Sequence, residues 1–215
     1  MQGRAAGPGL GPEGEGESGP VAGVILAGGL SSRMGADKAL AMLGGQRLLD
    51  RVARRLAPQV ARMAVNTNAP LTDPGLPVLP DALPPGVPDR PGPLAGILAA
   101  LDWAAAEGFA RVVTVPVDTP FLPADLVARL AAAGCPAIAE SGGRTHPAAG
   151  LWPVRLAPAL RAALVAGQRR VAPWAEAAGA VRVTFAGDPD PFLNLNTPED
   201  LARAEALLAG QGAGR

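Results

Sequence analysis

From Val21 to Ala27 the chain reads Val-Ala-Gly-Val-Ile-Leu-Ala, with no polar side chain, and then turns abruptly into Gly28-Gly-Leu-Ser-Ser-Arg-Met-Gly-Ala-Asp-Lys38. A short apolar run of this kind reads as a strand buried on both faces of a parallel sheet. Arg111–Val115 has the same character, and Ala64–Asn66 and Val78–Leu79 read as shorter strands. Between them the period changes. Arg47–Leu56 sets Leu49, Val52 and Leu56 on one helical face, and Leu94–Ala106 reads as an Ala-rich helix. Strands alternating with helices predict an α/β fold, a three-layer sandwich around a mostly parallel sheet, running as a single domain over residues 21–210.

Residues Met1–Pro20 are mostly Gly, Glu, Pro and Ala. They lack the apolar block of about 7–15 residues that a signal sequence needs, and read as a disordered tail. Nineteen basic residues balance 19 acidic ones, which argues against nucleic acid as the main partner. Cys135 is the only cysteine, so neither an intrachain disulfide nor a cysteine cluster for zinc is possible. A reducing cytoplasm is the simplest setting. No uninterrupted apolar stretch approaches the roughly 18 residues of a membrane helix, so no membrane association is expected.

The turn after the first strand is built to hold a polyphosphate. Gly28 and Gly29 let backbone N–H groups approach phosphate oxygens, and Arg33 and Lys38 supply positive charge within the same loop. The letters exclude two other phosphate loops: Gly35 is followed by Ala-Asp-Lys rather than Lys and a hydroxyl residue, and the glycines are adjacent rather than spaced as Gly-x-Gly-x-x-Gly. In open parallel sheets ligands bind beyond the carboxyl ends of the strands. Four polar features occupy that position: the Gly28–Lys38 loop, Asn66, Asp81 and Asp118. Asp118 offers the hard oxygen that Mg²⁺ prefers beside phosphates, although an Asp in Asp-Thr-Pro also suits a plain turn.

Further along, Asn194 and Asn196 lie two apart in an extended segment and point to the same side. Thr197-Pro-Glu-Asp200 reads as a helix start, with Thr197 as cap and Pro198 at the first helical position. His146 is the only histidine, and a lone histidine commonly has a structural role. Arg144, Arg169 and Arg170 suit either an acceptor's phosphate or plain solvation. Trp103 and Trp174 read as packing, and Trp152 lies close enough to His146 in sequence to line a pocket.

The motif Leu26-Ala-Gly-Gly-x-Ser-x-Arg-Met-Gly-x-Asp-Lys38 resembles the opening signature of the nucleotidyltransferases related to molybdenum cofactor guanylyltransferase. The likeness continues in Pro91-Gly-Pro-Leu-Ala-Gly96, Val117-Asp-Thr-Pro-Phe-Leu-Pro123, His146-Pro147 and Asn194-Leu-Asn-Thr-Pro-Glu-Asp-Leu201, so it spans about residues 21 to 209. Val117 stands where a Cys is frequent in that family. The resemblance implies a Rossmann-like, glycosyltransferase-A-like nucleotidyltransferase fold and the transfer of GMP from GTP to molybdopterin, with release of pyrophosphate. It implies nucleotide binding at Leu26, Ala27, Gly28, Lys38, Asn66, Asp81 and Asp118, with Mg²⁺ on Asp118 and catalysis by Arg33, Lys38 and Asp118. It implies that the region of Asn194 and Asn196 holds the acceptor or the metal, and His146 is a further candidate for acceptor binding. Protein partners for such a product would be molybdoenzyme apoproteins or cofactor-insertion proteins. A molybdopterin cytidylyltransferase or a sugar-phosphate nucleotidyltransferase would keep the loop and Asp118 with a changed base or acceptor pocket. A non-catalytic cofactor carrier is the reading of another class, and the presence of both Lys38 and Asp118 argues against it.

Overall fold

A computed structural model describes residues 19–28, 38–81, 83–87 and 92–212. Its strands are β1 (Ala22–Leu26), β2 (Met42–Leu43), β3 (Gln46–Arg47), β4 (Arg62–Asn66), β5 (Val78–Leu79), β6 (Arg111–Pro116), β7 (Ala137–Ser141), β8 (Arg144–Pro153) and β9 (Val181–Thr184). The helices are α1 (Leu48–Leu56), α2 (Pro93–Ala106), α3 (Leu126–Ala133), α4 (Ala157–Val165), α5 (Val171–Ala177) and α6 (Pro198–Gly212). Seven strands form one sheet in the order β5-β4-β1-β6-β8-β7-β9, and β2 pairs with β3 as a separate ribbon. Only β8 runs against its neighbours β6 and β7; the pairings β1–β4, β1–β6, β4–β5 and β7–β9 are parallel. The mostly parallel sheet expected from the sequence is therefore present.

The apolar runs of β1 and β6 are explained by what covers each face. Ala22, Val24 and Leu26 point with Val112 into a cluster built by Leu94, Ile97, Leu98 and Leu101 of α2, Leu160 and Leu164 of α4 and Trp174 of α5. Val21, Ile25 and Ala27 point with Val113, Val115 and Val117 to the opposite face, onto Leu49, Val52 and Leu56 of α1 and Leu126 and Leu130 of α3. Helices on both faces leave no polar side for the central strands, which is why the period-2 alternation of a half-exposed strand is missing. A satellite cluster of Leu43, Leu48, Phe121, Leu195 and Ala204 docks α6 beside the β2–β3 ribbon.

β7 and β8 form a hairpin whose two-residue turn, Gly142-Gly143, has φ of 53° and 73°. Both central residues at positive φ match the turn type that follows the right-handed strand twist. The ladder slips between Ile138 and Ala139, so that Ile138 faces Gly150 while Ala139 faces His146. Pro147 falls inside the slip, and a residue without an N–H cannot continue the ladder.

Two expectations need correction. The expected tail ran through Pro20, and residues 1–18 lie outside the described part, but Gly19 is already fixed: its carbonyl accepts a hydrogen bond from Arg111 Nη2 at 2.6 Å. Trp152 lines no pocket. It is fully buried, its indole N–H donates to Thr114 Oγ1 at 2.9 Å, and its ring tilts against Trp174 at 4.9 Å. Among the described residues no helix is long and apolar enough to cross a membrane.

Candidate active site

Since β5, β4, β1 and β6 are parallel neighbours, the residues following each of them meet at one edge of the sheet. Leu26 pairs with Asn66 on one side and Pro116 on the other, and the backbone hydrogen bonds continue past the strand, from Ala27 N to Asn66 O and from Val117 N to Leu26 O. Gly28, Asn66, Asp81 and Asp118 are thereby held along a common rim. Arg33 and Gly29 lie outside the described residues.

Lys38 opens a short 3₁₀ turn after the loop, and its ammonium donates to Asp118 Oδ2 at 2.9 Å and to Asn196 Oδ1 at 2.5 Å. The pair is largely shielded, with side-chain exposures of 20 % for Lys38 and 17 % for Asp118. Asn196 is brought there by the segment leading into α6. Leu195 N donates to Asp118 O at 3.0 Å and its side chain is buried, while Asn194 and Asn196 on either side are exposed. Asn196 joins the Lys38–Asp118 pair whereas Asn194 does not. The helix start is a capping box: Asp200 N donates to Thr197 Oγ1, and Asp200 Oδ2 accepts from the N–H groups of Asn196 and Thr197. Those bonds, led by the one from Asn196, hold the Asp200 carboxyl below its ordinary range. The cap therefore fixes the backbone that presents Asn196.

A second group lies beside Gly28. Asn66 is 2 % exposed, and its amide donates to Leu79 O at 3.0 Å and to Asp81 Oδ1 at 2.9 Å. Both amide hydrogens are thus used, which turns the carbonyl oxygen toward Gly96 of α2. A Cβ on Gly96 would stand 2.3 Å from that oxygen. The glycine is therefore required by Asn66, a role that sequence reasoning missed even though Gly96 falls within a recognised motif. Its signal was a glycine inside a helix, where it ordinarily costs stability.

His146 belongs to a third cluster. Ser141 donates to Asp190 Oδ1 at 2.7 Å, so its oxygen accepts the 2.8 Å bond from His146 Nε2, and the histidine carries its proton on that nitrogen. The ring stacks on Phe192 with centroids 4.8 Å apart. Burial is the main influence on His146 and pushes its pKa down; Arg144 pushes the same way and Asp190 opposes them. Residues 190–196 connect this cluster to Asp118, but no hydrogen bond joins His146 itself to the Lys38 group. Of the arginines, Arg169 turns back onto Leu164 O and Gln168 O, while Arg144 and Arg170 are exposed.

The arrangement suits a substrate with a phosphate chain. The Lys38 cation sits beside the Asp118 carboxylate at the ends of the strands, and the amide of Asn66 and carboxylate of Asp81 lie along the same rim for a base or sugar. The family model of the MobA-like NTP transferase domain matches residues 23–183. A protein of Cereibacter sphaeroides named molybdenum cofactor guanylyltransferase is 54 % identical over 192 residues, covering 86 % of this chain and 96 % of that one. One of the same name from Rhizobium leguminosarum is 51 % identical over 200 residues, covering 87 % and 93 %. Among solved structures, molybdopterin-guanine dinucleotide biosynthesis protein A from Archaeoglobus fulgidus superposes with a TM-score of 0.68 at 25 % identity, over 88 % of this chain and 100 % of that one. The 2-C-methyl-D-erythritol 4-phosphate cytidylyltransferase of Thermus thermophilus shares the fold, with a TM-score of 0.61 at 22 % identity over 86 % and 98 %.

Proposed function

Because this chain belongs to the MobA-like NTP transferase family and is a nucleotidyltransferase, we propose that it transfers GMP from GTP to molybdopterin, forming molybdopterin guanine dinucleotide and pyrophosphate. The observation that carries this reading is the meeting of Lys38, Asp118 and Asn196 at the sheet edge beside Gly28. The choice of guanine and of molybdopterin is supported by the name that relatives at 54 % and 51 % identity share.

In this reaction an oxygen of the acceptor's phosphate forms a bond to the α-phosphorus of GTP, and the bond from that phosphorus to the bridging oxygen of pyrophosphate breaks. The acceptor phosphate is already ionised at neutral pH, so no strong general base is needed. The protein's work is to orient the two phosphates and offset their charge. Lys38 serves as a point charge for the triphosphate, Arg33 adds a second cation from the loop, and the N–H groups around Gly28 face the phosphate oxygens. Asn66 and Asp81 take the nucleoside end. His146 and Asn194 lie toward the acceptor, while Asn196 works with Asp118.

The donor set fits Mg²⁺. Asp118 and Asn196 present oxygens that converge on one cationic group, the Lys38 ammonium, and such oxygens around a single cation suit a hard divalent ion. Among the described residues no three carboxylate, histidine or cysteine groups converge, so substrate phosphate and water would complete the shell. When bound, the ion supplies charge neutralisation on the phosphate oxygens. A cytoplasmic setting accords with a single cysteine. Molybdoenzyme apoproteins or cofactor-insertion proteins are the partners that would receive the product.

Incubating purified protein with molybdopterin, Mg²⁺ and each nucleoside triphosphate in turn tests the proposal, with pyrophosphate release and the mass of the product as readouts. GTP alone should give rapid pyrophosphate release and a guanine dinucleotide. Turnover that does not depend on molybdopterin would discard the acceptor.

A further inference from the structure

Asp81 is held by more than its place after β5. Its Oδ1 accepts from Asn66 Nδ2 at 2.9 Å and its Oδ2 accepts from Asn68 Nδ2 at 2.9 Å. Its own backbone N–H donates to Asn68 Oδ1 at 2.8 Å. The Asn68 carboxamide therefore closes a ring of two hydrogen bonds on one residue, fixing both where the Asp81 backbone lies and how its carboxylate is rotated. Nothing in the catalytic chemistry requires Asn68. It is exposed, sits one residue past the buried Thr67 and touches none of Lys38, Asp118 or Asn196.

Each carboxylate oxygen has taken one donor and retains further acceptor capacity. Two acceptors side by side in a fixed plane match a base edge with two neighbouring donors. Guanine has such an edge, with N1–H beside the 2-amino group. Cytosine and adenine each place an amino donor beside a ring-nitrogen acceptor, and uracil has one N–H between two carbonyls. Asp81 lies one hydrogen bond from Asn66, whose carbonyl oxygen would be 3.6 Å from a Cβ on Gly28, so the carboxylate borders the loop that takes the nucleotide.

We propose that Asn68 is a positioning residue for base selection: it aims the Asp81 carboxylate so that its two oxygens accept from N1–H and the 2-amino group of guanine. The role rests on the guanylyl-transfer reading above. A hydrogen bond to a charged acceptor, once lost, lowers affinity by about 10- to 100-fold. Without Asn68 the carboxylate can rotate about its side-chain bonds, and the bond to the 2-amino group loses its alignment.

The test compares kcat/KM for GTP, for ITP, which lacks only the 2-amino group, and for CTP, in wild type, Asn68→Ala and Asn68→Asp. Wild type should favour GTP over ITP by about tenfold or more. Asn68→Ala should bring that ratio toward one through a higher KM for GTP, with kcat at saturating GTP and the ITP parameters little changed. Asn68→Asp keeps an acceptor for the Asp81 N–H but sets one carboxylate against another, and should lose the discrimination as fully. A purely structural role would lower GTP and ITP turnover together and leave the ratio intact, which overturns the proposal. An unchanged GTP KM in both variants overturns it too. A wild type that prefers CTP would refute the guanine reading itself and Asn68's role with it, whereas a GTP-preferring wild type with an unaltered GTP-to-ITP ratio in the variants refutes only the role of Asn68.

Discussion

Lys38 Nζ stands 2.9 Å from Asp118 Oδ2 across 80 residues of chain, because both follow strands that lie side by side and parallel. The register Leu26 to Pro116 puts the ends of β1 and β6 level, so whatever follows each strand emerges on one rim. An ion pair so placed, and also joined to an amide, holds a cation and a carboxylate where a triphosphate needs a counter-charge and a metal needs an oxygen. In stability terms it is a modest contributor, since partly solvated pairs give about 0–1 kcal/mol.

Asp118→Asn should therefore lower kcat/KM by two to three decades while shifting Tm by only a few degrees, the order expected when an electrostatic catalytic group is removed. Lys38→Ala should weaken GTP binding and slow transfer with a similarly small effect on melting. Steady-state kinetics with thermal melts separate the two effects. Asp118→Asn activity within fivefold of wild type would remove that residue from the site.

Gly96 and Asn66 make a sharper steric claim. Alanine normally stabilises a helix interior relative to glycine by about 0.5–1 kcal/mol. At Gly96 the added Cβ meets an oxygen at 2.3 Å whose carboxamide is pinned by two donated hydrogen bonds, so relief by rotation breaks them. Gly96→Ala should lower stability by about 1–3 kcal/mol and raise the Kd for GTP at least tenfold. Gly210→Ala, in α6 with open space around its Cβ position, should leave both unchanged or raise stability slightly. Calorimetric titration with GTP and urea unfolding on both variants check this, and equal behaviour of the two would defeat it.

The site's rim was legible in the sequence because parallel strands that end in polar residues declare their edge: Asn66, Asp81 and Asp118 each follow an apolar run. The grouping within the rim was not. Nothing in the spacing of Lys38, Asp118 and Asn196 says that they share hydrogen bonds, since that depends on the register between β1 and β6 and on the Asp200 cap. The hairpin β7–β8 has little sequence signal because its two strands carry only Ile138 and Thr145 as the β-branched residues that mark strands, although Gly142-Gly143 was an available turn signal. Helices α3, α4 and α5 are so rich in alanine that their apolar faces have little contrast. Trp152 was misplaced because the register slip between Ile138 and Ala139 turns it to the opposite face of the sheet from His146, although their even spacing alone would keep both on one face.

The contribution of Gly19 can be measured by deletion. Arg111 is 5 % exposed, its Nε has no partner, and Gly19 O is the acceptor for its Nη2. Removing residues 1–18 should leave melting and activity unchanged, while removing 1–20 should cost about 1–3 kcal/mol by stripping that acceptor from a buried cation. Identical melting of the two truncated proteins would contradict this.

His146 gives a pH dependence with a definite sign. Burial between Ser141 and Phe192 holds its pKa below the ordinary imidazole value, so the folded protein takes up the proton less readily than the unfolded chain. Stability is then fully present above about pH 6.5 and declines as pH falls through that value toward the lower folded pKa. As the sole histidine, it accounts for the imidazole part of any loss between about pH 7 and 5. Urea midpoints should fall over that range in the wild type and fall less in His146→Gln, which can still donate to Ser141. Parallel declines would assign the dependence to carboxylates instead.

Base preference is the last expectation, and the geometry around Gly28 bears on it. A Cβ at residue 28 would meet only Asn66 Oδ1, at an ordinary 3.6 Å, so the protein's own packing tolerates alanine there. What the absent Cβ leaves open is space over the Asn66–Asp81 pair, where the larger purine would lie. Leu26 differs, being 8 % exposed and packed in the α2-side cluster, with its Cδ2 3.1 Å from the Cβ position of Gly96. Leu26→Thr should therefore cost about 1–3 kcal/mol of stability in lost packing, whereas Gly28→Ala should cost little. Wild type should use GTP over CTP by well over tenfold, because the wrong base leaves the Asp81 and Asn66 acceptors unpaired. Leu26→Thr combined with Gly28→Ala should shift that ratio toward CTP, chiefly by raising the KM for GTP. Competition assays with both nucleotides measure the ratio directly. If Gly28→Ala alone leaves the GTP KM unchanged, the purine does not lie over residue 28, and selection must come from Asp81 and its two asparagines.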